Sequence, residues 1–106
     1  MELSVEKQRD YATISIDETR IDIQNAEKFK TYLLNLIAEG NHTLVIDLKH
    51  VTFIDSSGLG ALVYSFREAK IRGGEIRIAH LKSQVQSIFK VTRLNKIFKI
   101  VDLPED

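Results

Sequence analysis

Near the middle of the chain, Leu44-Val45-Ile46-Asp47-Leu48 forms a nearly continuous apolar run. A run of this kind suits a central strand covered on both faces, as in a sheet with helices packed on it. The segments around it carry helical periodicity. Before it, Phe29, Tyr32, Leu33, Leu36 and Ile37 form one apolar stripe behind Asn25, a candidate cap, and Gly40-Asn41 supplies the termination. After it, Leu59, Leu62, Val63, Phe66 and Ala69 keep the same period between Ser56-Ser57 and Gly73-Gly74. Ile76 and Ile78 then alternate with Arg77 as a further strand. Ser83-Gln84-Val85-Gln86 fits a capping box for a third helix through Val85, Ile88 and Phe89. The last apolar group, Ile97 to Val101, suits a short strand or a short helix. From Asn25 the order is helix, strand, helix, strand, helix, which predicts an α/β domain with parallel central strands.

Ahead of Asn25, Leu3, Val5 and Lys7 alternate with Glu2, Ser4 and Glu6, and Ala12, Ile14 and Ile16 alternate with Tyr11, Thr13 and Ser15. This period of two predicts two strands with one buried face each, joined by a turn at Asp10. The 106 residues predict one domain over 1–106, without repeats or an internal linker. There is no cysteine, which excludes disulfides, thiolate metal sites and a cysteine nucleophile. No apolar run approaches the roughly 18 residues of a membrane span, and the first residues do not read as a signal peptide. A cytoplasmic protein without membrane association is expected.

Fifteen basic and fifteen acidic side chains give zero formal charge, but they are segregated. Residues 1–55 hold six basic and ten acidic groups, residues 56–101 hold nine and two, and the last five residues add three acids. Lys90, Arg93, Lys96 and Lys99, with Lys82 and Arg77, suggest a basic stripe. With Phe89 and Phe98 on core positions, the stripe lacks interleaved aromatics. A solvated face is therefore the expectation, and direct nucleic-acid binding is not. His42, His50 and His80 have no metal-ligand spacing, so neither a metal nor another cofactor is expected.

The unusual segment is Val51-Thr52-Phe53-Ile54-Asp55-Ser56-Ser57-Gly58-Leu59-Gly60, a loop that delivers two serines to a helix start. Unpaired N–H groups and the helix dipole favour an acceptor oxygen or a negative charge there. Read alone, a serine in this position is a cap, and the glycines fit the turn. The segment has neither the lysine nor the glycine spacing of a nucleotide phosphate loop. It is also not a nucleophile elbow, and His50 lacks the third group that a serine hydrolase needs.

In combination, Val45-Ile46-Asp47-Leu48, Phe53 to Gly60, Leu62-Val63, Gly73-Gly74-Glu75-Ile76, Ile88-Phe89 and Thr92 to Ile100 resemble the STAS domain family. The resemblance is narrower still to stand-alone bacterial anti-sigma factor antagonists, and it spans nearly the whole chain. It implies a small mixed sheet with helices packed mainly on one side and no catalysis of its own. It also implies a phosphorylated hydroxyl directly after the motif aspartate, which maps onto Ser56. The implied switch loop comprises Asp22, Asp55, Ser56, Ser57, Gly58 and Leu59. The family's glycine-any-leucine-aspartate turn aligns with Thr19-Arg20-Ile21-Asp22, where Thr19 replaces the glycine. The implied partners are an anti-sigma factor with serine kinase activity and a protein phosphatase, in a cycle that frees a sigma factor. A STAS subunit in a lipid-transport or stress-signalling assembly is the alternative.

Overall fold

A computed structural model describes residues 1–101, so the acidic tail at 102–106 lies outside the described residues. In chain order the elements are β1 (Leu3–Lys7), β2 (Ala12–Ile16), β3 (Arg20–Ile21), α1 (Ala26–Ala38), β4 (Thr43–Asp47), β5 (Phe53–Ile54), α2 (Ser56–Ile71), β6 (Glu75–Ala79), α3 (Ser83–Val91), a 3-10 turn (Leu94–Lys96) and β7 (Lys99–Val101). Five strands form one sheet in the order β1-β2-β4-β6-β7. β1 runs antiparallel to β2, with Gln8 N–H bonded to the Tyr11 carbonyl at the turn, and the other pairings are parallel. After β2 the strands advance in one direction across the sheet. Right-handed crossovers between parallel strands then place the intervening helices on one face.

The burial pattern follows that geometry. Ala12, Ile14 and Ile16 of β2, Leu44 and Ile46 of β4, and Ile76 and Ile78 of β6 are all buried. They join Phe29 and Leu33 of α1, Leu62 of α2 and Phe89 of α3 in one core cluster. Alternate residues face the other way, because strand side chains change face at every step. Val45 and Asp47 belong to this second set, in register with Thr13 and Ser15 on β2 and with Arg77 and Ala79 on β6. β4 is thus buried along its length without apolar cover on both faces. Its second face is shielded by neighbouring side chains and by a polar pair, since the Asp47 Oδ1 lies 2.9 Å from His80 Nδ1 and also accepts the Lys49 N–H. On the same face Glu75 pairs with Arg77, whose hydrogen bond holds the Glu75 carboxyl below its ordinary value.

Helices α1 and α2 end in glycines with positive φ, Gly40 at 105° and Gly73 at 81°, as the sequence predicts. Three expectations fail here. β1 has no buried face, since none of its residues is buried and Val5 is exposed. Tyr32 is exposed, so the buried stripe of α1 is narrower than its apolar pattern. The capping box of α3 is absent, because the helix begins at Ser83 and the capping position falls on Lys82, which makes no side-chain cap bond. The final apolar group is part turn and part strand, anchored by buried Leu94 and Phe98. Phe98 meets Phe66 edge-on at 5.3 Å between ring centres.

Candidate functional site

Two short connections come together at one end of the core. β3 and β5 have only two residues each, yet they pair in parallel, Arg20 with Phe53 and Ile21 with Ile54. Around this ladder the Thr52 N–H and hydroxyl both donate to the Thr19 carbonyl, at 2.8 and 3.1 Å, and the Asp55 N–H donates to the Ile21 carbonyl at 3.1 Å. The Arg20 guanidinium lies over the Phe53 ring at 4.3 Å. Thr19 is not among the residues with positive φ, so the family glycine is replaced without a left-handed backbone.

Asp55 is the residue that ties the two connections to the helix. It stands at the capping position of α2 with extended backbone, and its Oδ1 accepts the Gly58 N–H at 3.0 Å. The other carboxylate oxygen, Oδ2, accepts the Ile23 N–H at 3.1 Å. One carboxylate therefore satisfies an orphan donor of the helix and holds the β3–α1 loop, beside the positive end of the helix dipole. The cap is the aspartate and not a serine, contrary to the local expectation for Ser56-Ser57.

This assignment frees the serines. Ser56 occupies the first helical position, is exposed, and its hydroxyl makes no hydrogen bond among the described residues. Ser57 is half-buried. Gly58 is buried, and no side chain fits there without a shift. A Cβ at that position would lie 2.7 Å from Ile54 Cγ2 and 2.9 Å from the Ile21 carbonyl oxygen. Leu59 is half-buried and packs on the core cluster. Gly60 has no such constraint, since a Cβ there meets nothing within 4 Å.

Asp22 lies in the loop that Asp55 holds, next in sequence to Ile23. Its Oδ1 accepts the Gln24 N–H, and its own N–H donates to Asn25 Oδ1, each at 3.0 Å. Asn25 does not cap α1 with its side chain. It spans the turn instead, with Nδ2 donating to the Arg20 carbonyl. Of the six residues proposed for the switch loop, Asp22 lies in the β3–α1 connection, Asp55 caps α2, and Ser56 to Leu59 form the first turn of that helix.

Sequence reasoning missed what lies beside them. A groove of about 320 Å³ runs between the N-terminal halves of α1 and α2, lined in part by Ile23, Lys30, Ser57 and Tyr64. The one available signal was Ile23, an apolar residue flanked by Asp22 and Gln24. The basic residues Lys82, Lys90, Arg93, Lys96 and Lys99 are exposed before, on and after α3, and none lines this groove. Among the described residues no group of three or more histidine or acidic side chains is placed to hold a metal. No described helix is long and apolar enough to cross a membrane.

This fold belongs to a known class: the STAS domain family model matches residues 2–105, and the chain belongs to that family. It is 35% identical over 80 residues to the anti-sigma-B factor antagonist of Bacillus subtilis (strain 168), covering 76% of this chain and 72% of that protein. Against the anti-sigma-B factor antagonist of Listeria monocytogenes it is 33% identical over 102 residues, covering 94% and 90%. The fold also matches the Bacillus cell fate determinant SpoIIAA, solved in its phosphorylated form, with a TM-score of 0.76 at 20% identity, covering 98% of this chain and 93% of that one.

Proposed function

We propose that this protein is a phosphorylation-switched binding module, an antagonist of an anti-sigma factor that is also a serine kinase. Its unmodified form binds that partner and so releases a sigma factor. The kinase transfers a phosphoryl group to Ser56, the complex dissociates, and a protein phosphatase restores the hydroxyl. The observation that carries this reading is the free, exposed Ser56 hydroxyl at the start of α2, left without a local role because Asp55 does the capping. The naming of the Bacillus and Listeria relatives as anti-sigma-B factor antagonists supports it.

Charge supplies the switch. A phosphoserine carries about −1.5 to −2 charges and three acceptor oxygens. At Ser56 that charge stands next in sequence to the Asp55 carboxylate, whose two oxygens are already committed to Gly58 and Ile23. A complex that buries the Ser56 side chain would have to desolvate the added anion beside an existing one. Like-charge contacts at an interface cost several kcal/mol. Release then needs local electrostatics and no refolding of the sheet.

The test compares two variants by calorimetry against the kinase-type partner. Ser56→Ala keeps the affinity of the unmodified protein, and Ser56→Asp weakens it by roughly tenfold or more. Equal affinities of the two variants would refute the electrostatic switch.

A further inference from the structure

We propose that Ile23 is the apolar anchor by which this chain selects its partner, and that the groove beside it receives an aliphatic side chain of the kinase-type anti-sigma factor while Ser56 enters the kinase site. This rests on the function proposed above and adds to it a specificity-determining residue outside the serine motif.

Ile23 is 77% exposed. A single exposed isoleucine is ordinary on a protein surface, so exposure alone would mean little. Here the backbone beneath it is fixed, because the Ile23 N–H is held by Asp55 Oδ2. Asp22 and Asn25 close the same turn through their side chains. An apolar side chain on an ordered turn is preorganised, and less ordering entropy is lost when a partner covers it.

The groove has the shape for an inserted side chain. Ser57, Gly60, Ala61 and Tyr64 recur at steps of three, one and three, so they share one face of α2. Small residues line that face, and Gly60 leaves open space where a side chain would stand. Lys30 reaches across with its Nζ 5.0 Å from the Tyr64 ring centre, while also 3.5 Å from Glu27 Oε1. Apolar Ile23 and a half-exposed Tyr64 thus border a narrow cleft with one charged pair at its side.

Continuity with the phosphorylated position identifies the occupant. Ser57 lines the groove and is the immediate neighbour of Ser56, and Asp55 binds both the α2 start and Ile23. A kinase that takes hold of the Ser56 hydroxyl works within one residue of this surface. An aliphatic partner group there would meet Ile23, Ala61 and the Tyr64 ring.

Steady-state phosphorylation by the kinase that labels wild-type Ser56 tests the anchor. Ile23→Ser raises KM by roughly 10- to 100-fold, the scale expected for exposing one isoleucine side chain, with little change in kcat. Ile23→Val recovers most of that loss. Gly60→Leu, which fills the groove and places a better helix former in α2, also raises KM without lowering the melting temperature. A KM within about twofold of wild type for both Ile23→Ser and Gly60→Leu would overturn the anchor while leaving the Ser56 reading intact. Absence of any Ser56 label on wild type in a confirmed complex would remove both. Sedimentation showing a wild-type dimer that Ile23→Ser dissociates would assign the groove to a second copy and overturn the proposal.

Discussion

Helices α2 and α3 both begin on a serine, and they begin differently. At α2 the residue before the serine is Asp55, whose carboxylate accepts from Gly58 within the helix and from Ile23 in a separate loop. At α3 the residue before the serine is Lys82, with the extended backbone of a capping position but no oxygen to offer. A cation also stands there at the positive end of a helix dipole, where an anion is favoured. The difference teaches what a serine at a helix start is for. Where an aspartate takes the capping role, the serine is released for other chemistry and its surroundings are held in place. Where nothing caps, as at Ser83, the helix relies on Val85 and Phe89 in the core.

This comparison can be broken by substitution. The largest effect is expected at Gly58→Ala, whose new methyl would meet Ile54 and the Ile21 carbonyl. Overpacking of this kind costs about 1–3 kcal/mol, partly offset by up to about 1 kcal/mol of helix propensity. Chemical denaturation would read it, and an unchanged midpoint would show that the two connections yield easily. Next comes Asp55→Ala, expected to lose about 1–2 kcal/mol as the cap disappears. The same measurement on Ser83→Ala should give a change within about 0.5 kcal/mol, because that serine caps nothing. Similar losses for the two would erase the distinction between the helix starts. The smallest effect sharpens the contrast from the other side. Lys82→Asp supplies α3 with the missing acceptor and should raise stability by about 0.5–1 kcal/mol in thermal melts.

Several features of this architecture are legible in the residues themselves. Ala12, Ile14 and Ile16 reveal a half-buried strand through their alternation, and all three are buried. Gly40 and Gly73 mark the ends of α1 and α2, because positive φ is easiest for glycine. The capping box at Ser83 misleads by one residue. A helix that starts at Ser83 places Gln86 at the fourth helical position, one beyond where a reciprocal bond forms. β3 and β5 are too short to show any period, and their pairing joins residues 33 apart in sequence. The Asp47–His80 contact spans the same separation. Neither can be inferred from local pattern.

The site divides along the same line. Ser56, Asp55 and Gly58 stand out as a motif, but the division of labour between cap and hydroxyl depends on where the helix starts. Asp22 comes from the family resemblance, and its nearness to Asp55 from the β3–β5 ladder. Ile23 follows Ile21 by two residues, and that local spacing says nothing of a groove formed with α2. Only the hydrogen bond to Asp55 and the groove beside Ser57 give it a place.

Phosphopeptide mapping after incubation with ATP and the kinase-type anti-sigma factor tests the central claim most directly. The account predicts label on Ser56 alone, since its hydroxyl is exposed and uncommitted while Ser57 is half-buried in the groove. Label on Ser57, or no label in a confirmed complex, would contradict it.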